Sequence, residues 1–151
     1  MVIATEIIYN HAVHCRVIND NVFHAYLMPD TVISKNEIQF IVDEYQRRSA
    51  IQPMKFLMEL APFAFIDING CEALNNSNLS TLCEAIVTND LAQLLTINFY
   101  FRSRKRDNDS KLFKNRTQAL NWLEDYKVQL SWAISNKFSV AHELVFFNFR
   151  L

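Results

Sequence analysis

One glycine, Gly70, stands among 151 residues. Glycine enters left-handed backbone regions without steric cost and lets a phosphate or a second backbone come close. Phosphate-cradling loops of the GxGxxG or GxxxxGK[ST] type need several glycines, so this chain cannot build one. The commonest routes to nucleotide binding are thereby excluded. Turns fall instead to asparagine and aspartate, which tolerate left-handed angles and bond locally to the chain.

Residues 11–28 show such a turn. Two apolar-rich runs, HAVHCRVI and VFHAYLMP, flank Asn19-Asp20-Asn21, which predicts a β-hairpin. Alternation places Val13, Cys15 and Val17 on one face and His14 and Arg16 on the other. The preceding VIATEIIY is a candidate further strand, and Pro29-Asp30 ends the hairpin. Ser34 then stands three residues before Glu37, the spacing of a capping box. Ile38, Ile41, Val42 and Tyr45 recur at helical intervals. Gln39, Asp43, Glu44, Gln46 and Arg47 are expected to face mostly away from them. This predicts an amphipathic helix over 35–49 that stops before Pro53.

MKFLMEL and CEAIVTN are short apolar runs of the kind that form buried strands. Strand, helix, strand in that order implies a crossover unit with parallel pairing. Between these runs, Ile68, Cys71, Ala73 and Leu74 have the spacing to line a short helix, and NNSNLS is loop-like. In NDLAQLLTINFYFRS, Asn89 or Asp90 caps a helix on which Leu91, Leu94, Leu95, Asn98 and Phe101 fall at helical intervals. INFYF by itself also reads as a strand. RKRDNDS is a charged loop and KLF a short edge strand. Asn115, with Gln118 three residues on, caps a closing helix. Its apolar side is Ala119, Leu120, Trp122, Leu123 and Tyr126, so the segment lays tryptophan on the sheet. ELVFFNFRL, near the end of the sequence, has strand character.

Half of the residues are apolar and 21% are charged, a globular composition of a size that suits one domain. The formal charge of −1 provides no global field toward nucleic acid or acidic lipid. Cys15, Cys71 and Cys83 are odd in number, widely spaced and without a CxxC pair, as expected of buried reduced thiols. No uncharged apolar run approaches the ~18 residues of a membrane span. The N-terminus carries Glu6 and no basic run of a signal peptide. The expectation is a cytoplasmic protein.

The order of two strands, helix, strand, helix, strand, helix and last helix resembles the STAS fold. More closely it resembles the SpoIIAA-like proteins of bacteria. NVFHAYLMP, MKFLMEL and above all KLFKNRTQALNWL carry the resemblance, with Lys111, Leu112, Phe113, Ala119, Trp122 and Leu123 matching the family's closing strand and helix. It covers about residues 11–127 and implies a single-domain α/β sandwich. In that sandwich helices pack on a mixed sheet of about four to five strands. Anti-sigma-factor antagonists of this superfold carry an aspartate-serine-serine-glycine turn between the central strand and the next helix, where a partner kinase phosphorylates a serine. The corresponding APFAFIDINGCEALNN has no such turn and no serine, so the phosphoswitch is not carried over.

His11, His14 and Cys15, with His24 on the next strand, lack zinc-ligand spacing, and His14 and Cys15 point to opposite faces. Cys71 or Cys83 with His142 would be a nucleophilic pair only if the fold joined them. Asp67 with Glu72, and Asp43 with Glu44, are candidate acid/base pairs; Asp43 and Glu44 read better as solvated carboxylates on a polar helix face, and Asp67 has no diagnostic neighbour. Arg102, Arg104, Lys105, Arg106 and Lys111 adjoin Phe99, Tyr100 and Phe101, a pattern that binds single-stranded nucleic acid. Asp107 and Asp109 dilute it. The twelve phenylalanines exceed what a minimal core demands.

These readings converge on a non-enzymatic STAS-like module, residues 1–127, with an extension at 128–151. No metal or cofactor is expected, nor a nucleic-acid or membrane partner. The module is expected to act in bacterial regulation through a protein partner or as a homodimer. Phe146, Phe147, Phe149, Arg104, Lys105 and Arg106 are the candidate contact surface. The alternative is a carrier of a small apolar ligand held between sheet and helices.

Overall fold

The computed structural model describes residues 7–77, 79–103 and 109–126. In chain order they form β1 (Ile7–Tyr9), β2 (Val13–Ile18), β3 (Val22–Leu27), β4 (Val32–Ile33), α1 (Lys35–Arg48) and β5 (Lys55–Leu60). There follow β6 (Phe65–Ile66), α2 (Ile68–Asn75), β7 (Glu84–Val87), α3 (Leu91–Ser103) and β8 (Ser110–Phe113). A last helix, α4, runs over 116–126. The main sheet has the order β1-β2-β3-β5-β7-β8. Its first three strands are antiparallel and the rest pair in parallel. This is the mixed α/β sheet that the sequence implies. The sixth strand is β1, drawn from VIATEIIY.

The turns follow from the shortage of glycine. Asn19 and Asp20 both take positive φ, 53° and 64°, as a primed hairpin turn requires. Asn21 closes it by donating to the Ile18 carbonyl at 3.2 Å. Asn10 and His11 repeat the geometry between β1 and β2. Gly70 serves close packing instead. A Cβ there would lie 2.7 Å from the Ile33 carbonyl oxygen and 2.9 Å from an Ile66 methyl. Glycine at this point lets α2 settle against β4 and β6.

Alternation sorts the strands into two faces. Phe23, Ala25, Phe56, Met58 and Ile86 form one core with Ile38, Ile41 and Tyr45 of α1, Cys71 and Leu74 of α2, and Ile97 and Tyr100 of α3. Val22, Leu57, Ala85 and Val87 form the opposite core with Ala119 and Leu123 of α4. Burying each such side chain contributes about 1.5–3 kcal/mol. Asn115 caps α4 through its side-chain oxygen, which accepts from the Gln118 amide at 2.9 Å. Trp122 packs between Phe113 and Tyr126, with ring centroids 5.7 and 5.5 Å away, so the indole does lie on the sheet.

On α1, Glu37 closes the capping box by accepting from the Ser34 amide at 2.9 Å. Three expectations about helix faces need correction. Glu44 is buried, not turned to water, because it reaches Arg47 and Arg48 on its own helix. Ile68 is exposed, and α2 buries Gly70, Cys71, Leu74 and Asn75. On α3 the buried residues among the described side chains are Gln93, Ile97 and Tyr100, whereas Leu91, Leu95 and Phe99 face outward; the side chain of Phe101 lies outside those described. Polar anchors set that rotation. Gln93 donates to the carbonyls of Ala61 and Ala64 at 2.7 and 3.1 Å. Tyr100 donates to the buried Glu84 carboxylate at 3.1 Å, which Ser110 also contacts. Buried polar groups must keep such partners, so they outrank the pull of equally apolar stripes.

Candidate functional site

The strand β5 ends in a four-residue turn, Ala61-Pro62-Phe63-Ala64, closed by the Ala64 amide on the Ala61 carbonyl at 3.0 Å. Proline at the second position and a positive φ at the third make it type II, a place that glycine normally fills. Phe63 fills it here, at φ 65°. A side chain in that region costs about 1–2 kcal/mol. This one is 73% exposed, so packing among the described residues does not repay the strain.

Neighbouring elements extend the same apolar surface. The turn leads into β6, which pairs in parallel with β4, so that Val32 and Phe65 are cross-strand partners. Both are exposed. Asp30 donates its amide to Pro62, and Phe65 donates to Thr31, fastening the ribbon to the turn. Gln93 holds the first turns of α3 against the same carbonyls, and Asn89 donates to the Leu60 carbonyl. Leu91, at the start of α3, thus stands near exposed Phe63, Phe65, Val32 and Ile68, while Leu95 and Phe99 continue the apolar strip along the outside of α3 toward the other end of the sheet, where Tyr100 reaches Glu84 at the start of β7. Scattered exposed apolar residues are ordinary; a contiguous group marks a contact surface.

A second constellation lies on the α4 side of the sheet. Arg16 Nε donates to His24 Nδ1 at 3.0 Å, and His24 Nε2 lies 2.9 Å from Glu59 Oε1. Arg116, in the first turn of α4, closes the row through two bonds to the same carboxylate, 2.8 and 3.3 Å. Because Arg16 can only donate, Nδ1 must be the bare nitrogen and Nε2 carries the proton. Burial lowers the His24 pKa and so agrees with a neutral ring. For Glu59 burial raises the pKa, but the hydrogen bonds from His24 and Arg116 outweigh it and leave the carboxyl below its usual range. His24 is 1% exposed and both of its nitrogens are engaged. The row therefore ties β2, β3, β5 and α4 together and offers no base to a substrate.

The residues singled out in the sequence disperse. His11 sits in the β1–β2 turn, Cys15 is in the core on the other face from His24, and no metal-binding group occurs among the described residues. Burial pushes the Cys15 and Cys83 thiols up to about 12 and Cys71 to about 11, so all three stay protonated near neutrality. Asp67 caps α2, accepting from the Gly70 amide at 2.8 Å, and Asp43 accepts from Gln39. Tyr100 is buried against Glu84 and cannot stack on a base. Arg104, Lys105, Arg106, His142, Phe146, Phe147, Phe149 and the whole of 128–151 lie outside the described residues. A cavity of about 220 Å³ is lined by Asn19, Asn21, Val22, Lys55, Leu120 and Glu124, and a groove of about 620 Å³ by Val17, Asp20, Arg48, Ile51, Gln52 and Met54. No helix among the described residues is long and apolar enough to cross a membrane.

The site residues missed in the sequence are Phe63, Phe65 and Gln93. A Pro-Phe pair directly after a buried strand, and a helix apolar on both sides, are the signals that point to them.

Comparison with solved structures finds a protein of the DUF3478 family from Shewanella loihica PV-4, described as having a SpoIIAA-like fold. It aligns with a TM-score of 0.50 over 74% of this chain and 92% of its own, at 13% identity. That likeness carries the fold alone, and it agrees with the SpoIIAA-like architecture read from KLFKNRTQALNWL. No curated protein matches the sequence. Residues 16–127 match the family described as "Domain of unknown function (DUF7793)", a span from β2 through α4. The chain belongs to the DUF7793 family.

Proposed function

We propose that this protein is a binding module that works by protein–protein contact through its exposed apolar side chains: Phe63, Phe65 and Val32 at one end of the sandwich, and Leu91, Leu95 and Phe99 along the outside of α3. The observation that carries this reading is Phe63. A fold that places an aromatic side chain in a glycine's backbone region, exposed and beside other exposed apolar groups, sustains a cost that only a contact can offset. The buried protonated cysteines and the fully engaged His24 fit a binding role better than a catalytic one. Phe146, Phe147 and Phe149 stay within the proposal as further contact residues.

The test uses the full chain as bait in wild-type, Phe65→Glu and Leu95→Glu forms. A protein captured by the wild type is then purified and its affinity measured against all three. Both substitutions should weaken binding at least about tenfold, since each sets a carboxylate in an apolar contact. Equal affinities for the three baits would refute the reading.

A further inference from the structure

We infer that the occupant of this surface is a second copy of the chain, with two α3 helices packed antiparallel about a two-fold axis at Leu95. The inference rests on the binding reading above and names its partner. An α-helix rises 1.5 Å per residue, so Leu91 and Phe99 lie about 12 Å apart on the outer stripe with Leu95 midway. Asp90 stands just before this stripe, where its side chain caps α3 through the Gln93 amide at 2.9 Å. Arg102, exposed, continues the stripe beyond Phe99 at the opposite end.

The strip therefore has an apolar middle, an acidic end and a cationic end. Asp30 and Asp67, which flank Phe63 and Ile68, strengthen the acidic end. Lys35, exposed just after β4, lies at that same end and offsets part of this charge, so the polarity of the strip rests on Asp90 and Arg102. Such a strip complements its own reverse. Antiparallel packing sets Leu91 against Phe99 of the second copy, Leu95 against itself, and Asp90 toward Arg102. A two-fold contact requires this kind of self-complementary patch. Parallel packing would set carboxylate on carboxylate and cation on cation, an arrangement that repels.

Sedimentation velocity of the full chain over a concentration series tests the inference, with circular dichroism confirming that each variant is folded. The wild type should form a dimer. Leu95→Glu, which sets two carboxylates face to face on the axis, should weaken it at least about tenfold, and Arg102→Glu more mildly. Leu95→Cys should give a covalent dimer under mild oxidation, because Cys15, Cys71 and Cys83 are buried. A wild type monomeric throughout the series overturns the inference, as does a dimer that Leu95→Glu leaves intact or Leu95→Cys fails to cross-link. If the wild type is monomeric yet Leu95→Glu still abolishes capture of another protein, the dimer alone falls. If capture is also unaffected, the binding reading falls with it.

Discussion

Helices α1 and α3 cover the same face of one sheet, yet their outer sides differ. The outside of α1 carries Gln39, Asp43, Gln46 and Arg47, a surface suited to water. The outside of α3 carries Leu91, Leu95 and Phe99. A helix apolar all round is ordinarily enclosed on all sides. The contrast teaches that α3 is buried only by half, and that its outer half is the apolar surface on which the proposed contact rests. The same contrast separates two exposed apolar residues. Ile51 is 97% exposed in the loop after α1, at a groove it lines with Asp20, Arg48 and Gln52 as well as Val17 and Met54, whereas Leu95 at 60% stands between Leu91 and Phe99 on the outer stripe of α3.

The largest effect that would break this comparison concerns the two sides of α3. Ile97→Ala, on its inner side, should lower stability by about 2–5 kcal/mol. Leu95→Ala, on its outer side, should change the dilute chain by about 0.5 kcal/mol or less. Chemical denaturation measures both, and similar losses would mean that the two sides are not distinct. Next in size, Gly70→Ala should cost about 1–3 kcal/mol, because its methyl meets the Ile33 carbonyl. A neutral result would show that α2 and the β4–β6 ribbon shift freely. Phe63→Gly should then raise the melting temperature, with a gain of about 1 kcal/mol from relieved strain, while weakening association. A loss of stability would mean that the phenyl ring packs within its own chain.

The smallest effect is an acid slope that sharpens the contrast with the α4 side. His24 is held below its usual 6.5 and is neutral in the fold. As pH falls through 6.5 the unfolded chain takes up a proton that the folded chain refuses, so stability drops. Glu59 acts in the same direction, its contribution present above 4.5 and lost below. Thermal melts should be level near neutral pH and fall in acid; above pH 9.0 they should fall again, because the thiols of Cys15, Cys71 and Cys83 ionise in the unfolded chain while burial keeps them protonated in the fold. His24→Gln should remove the upper limb and keep the lower one. An unchanged upper limb would place the titrating group elsewhere.

Much of the architecture was legible in local chemistry. Asn19-Asp20, Ser34 with Glu37, and Asn115 with the Trp122 stripe each state a turn or a cap within a few residues, and each is where the sequence reading set it. The rotation of α3 was not legible, because Leu91, Leu94 and Leu95 are as apolar as Ile97 and Tyr100. Periodicity has no means of choosing between two apolar stripes, and Gln93 chooses through carbonyls some thirty residues away. The row Arg16, His24, Glu59 and Arg116 was hidden for a related reason: parallel pairing of β3 with β5 brings together residues that no local window contains. The left-handed Phe63 is invisible because a bulky aromatic residue is not expected to adopt that geometry.

Hydroxyl-radical footprinting of the full chain at low and high concentration tests the central claim directly, with Ile51 as an internal reference. Protein contact through this apolar surface predicts that Phe63, Leu91, Leu95 and Phe99 lose reactivity together as concentration rises while Ile51 keeps its own. Reactivity at those four residues that stays level with Ile51 at every concentration would contradict it.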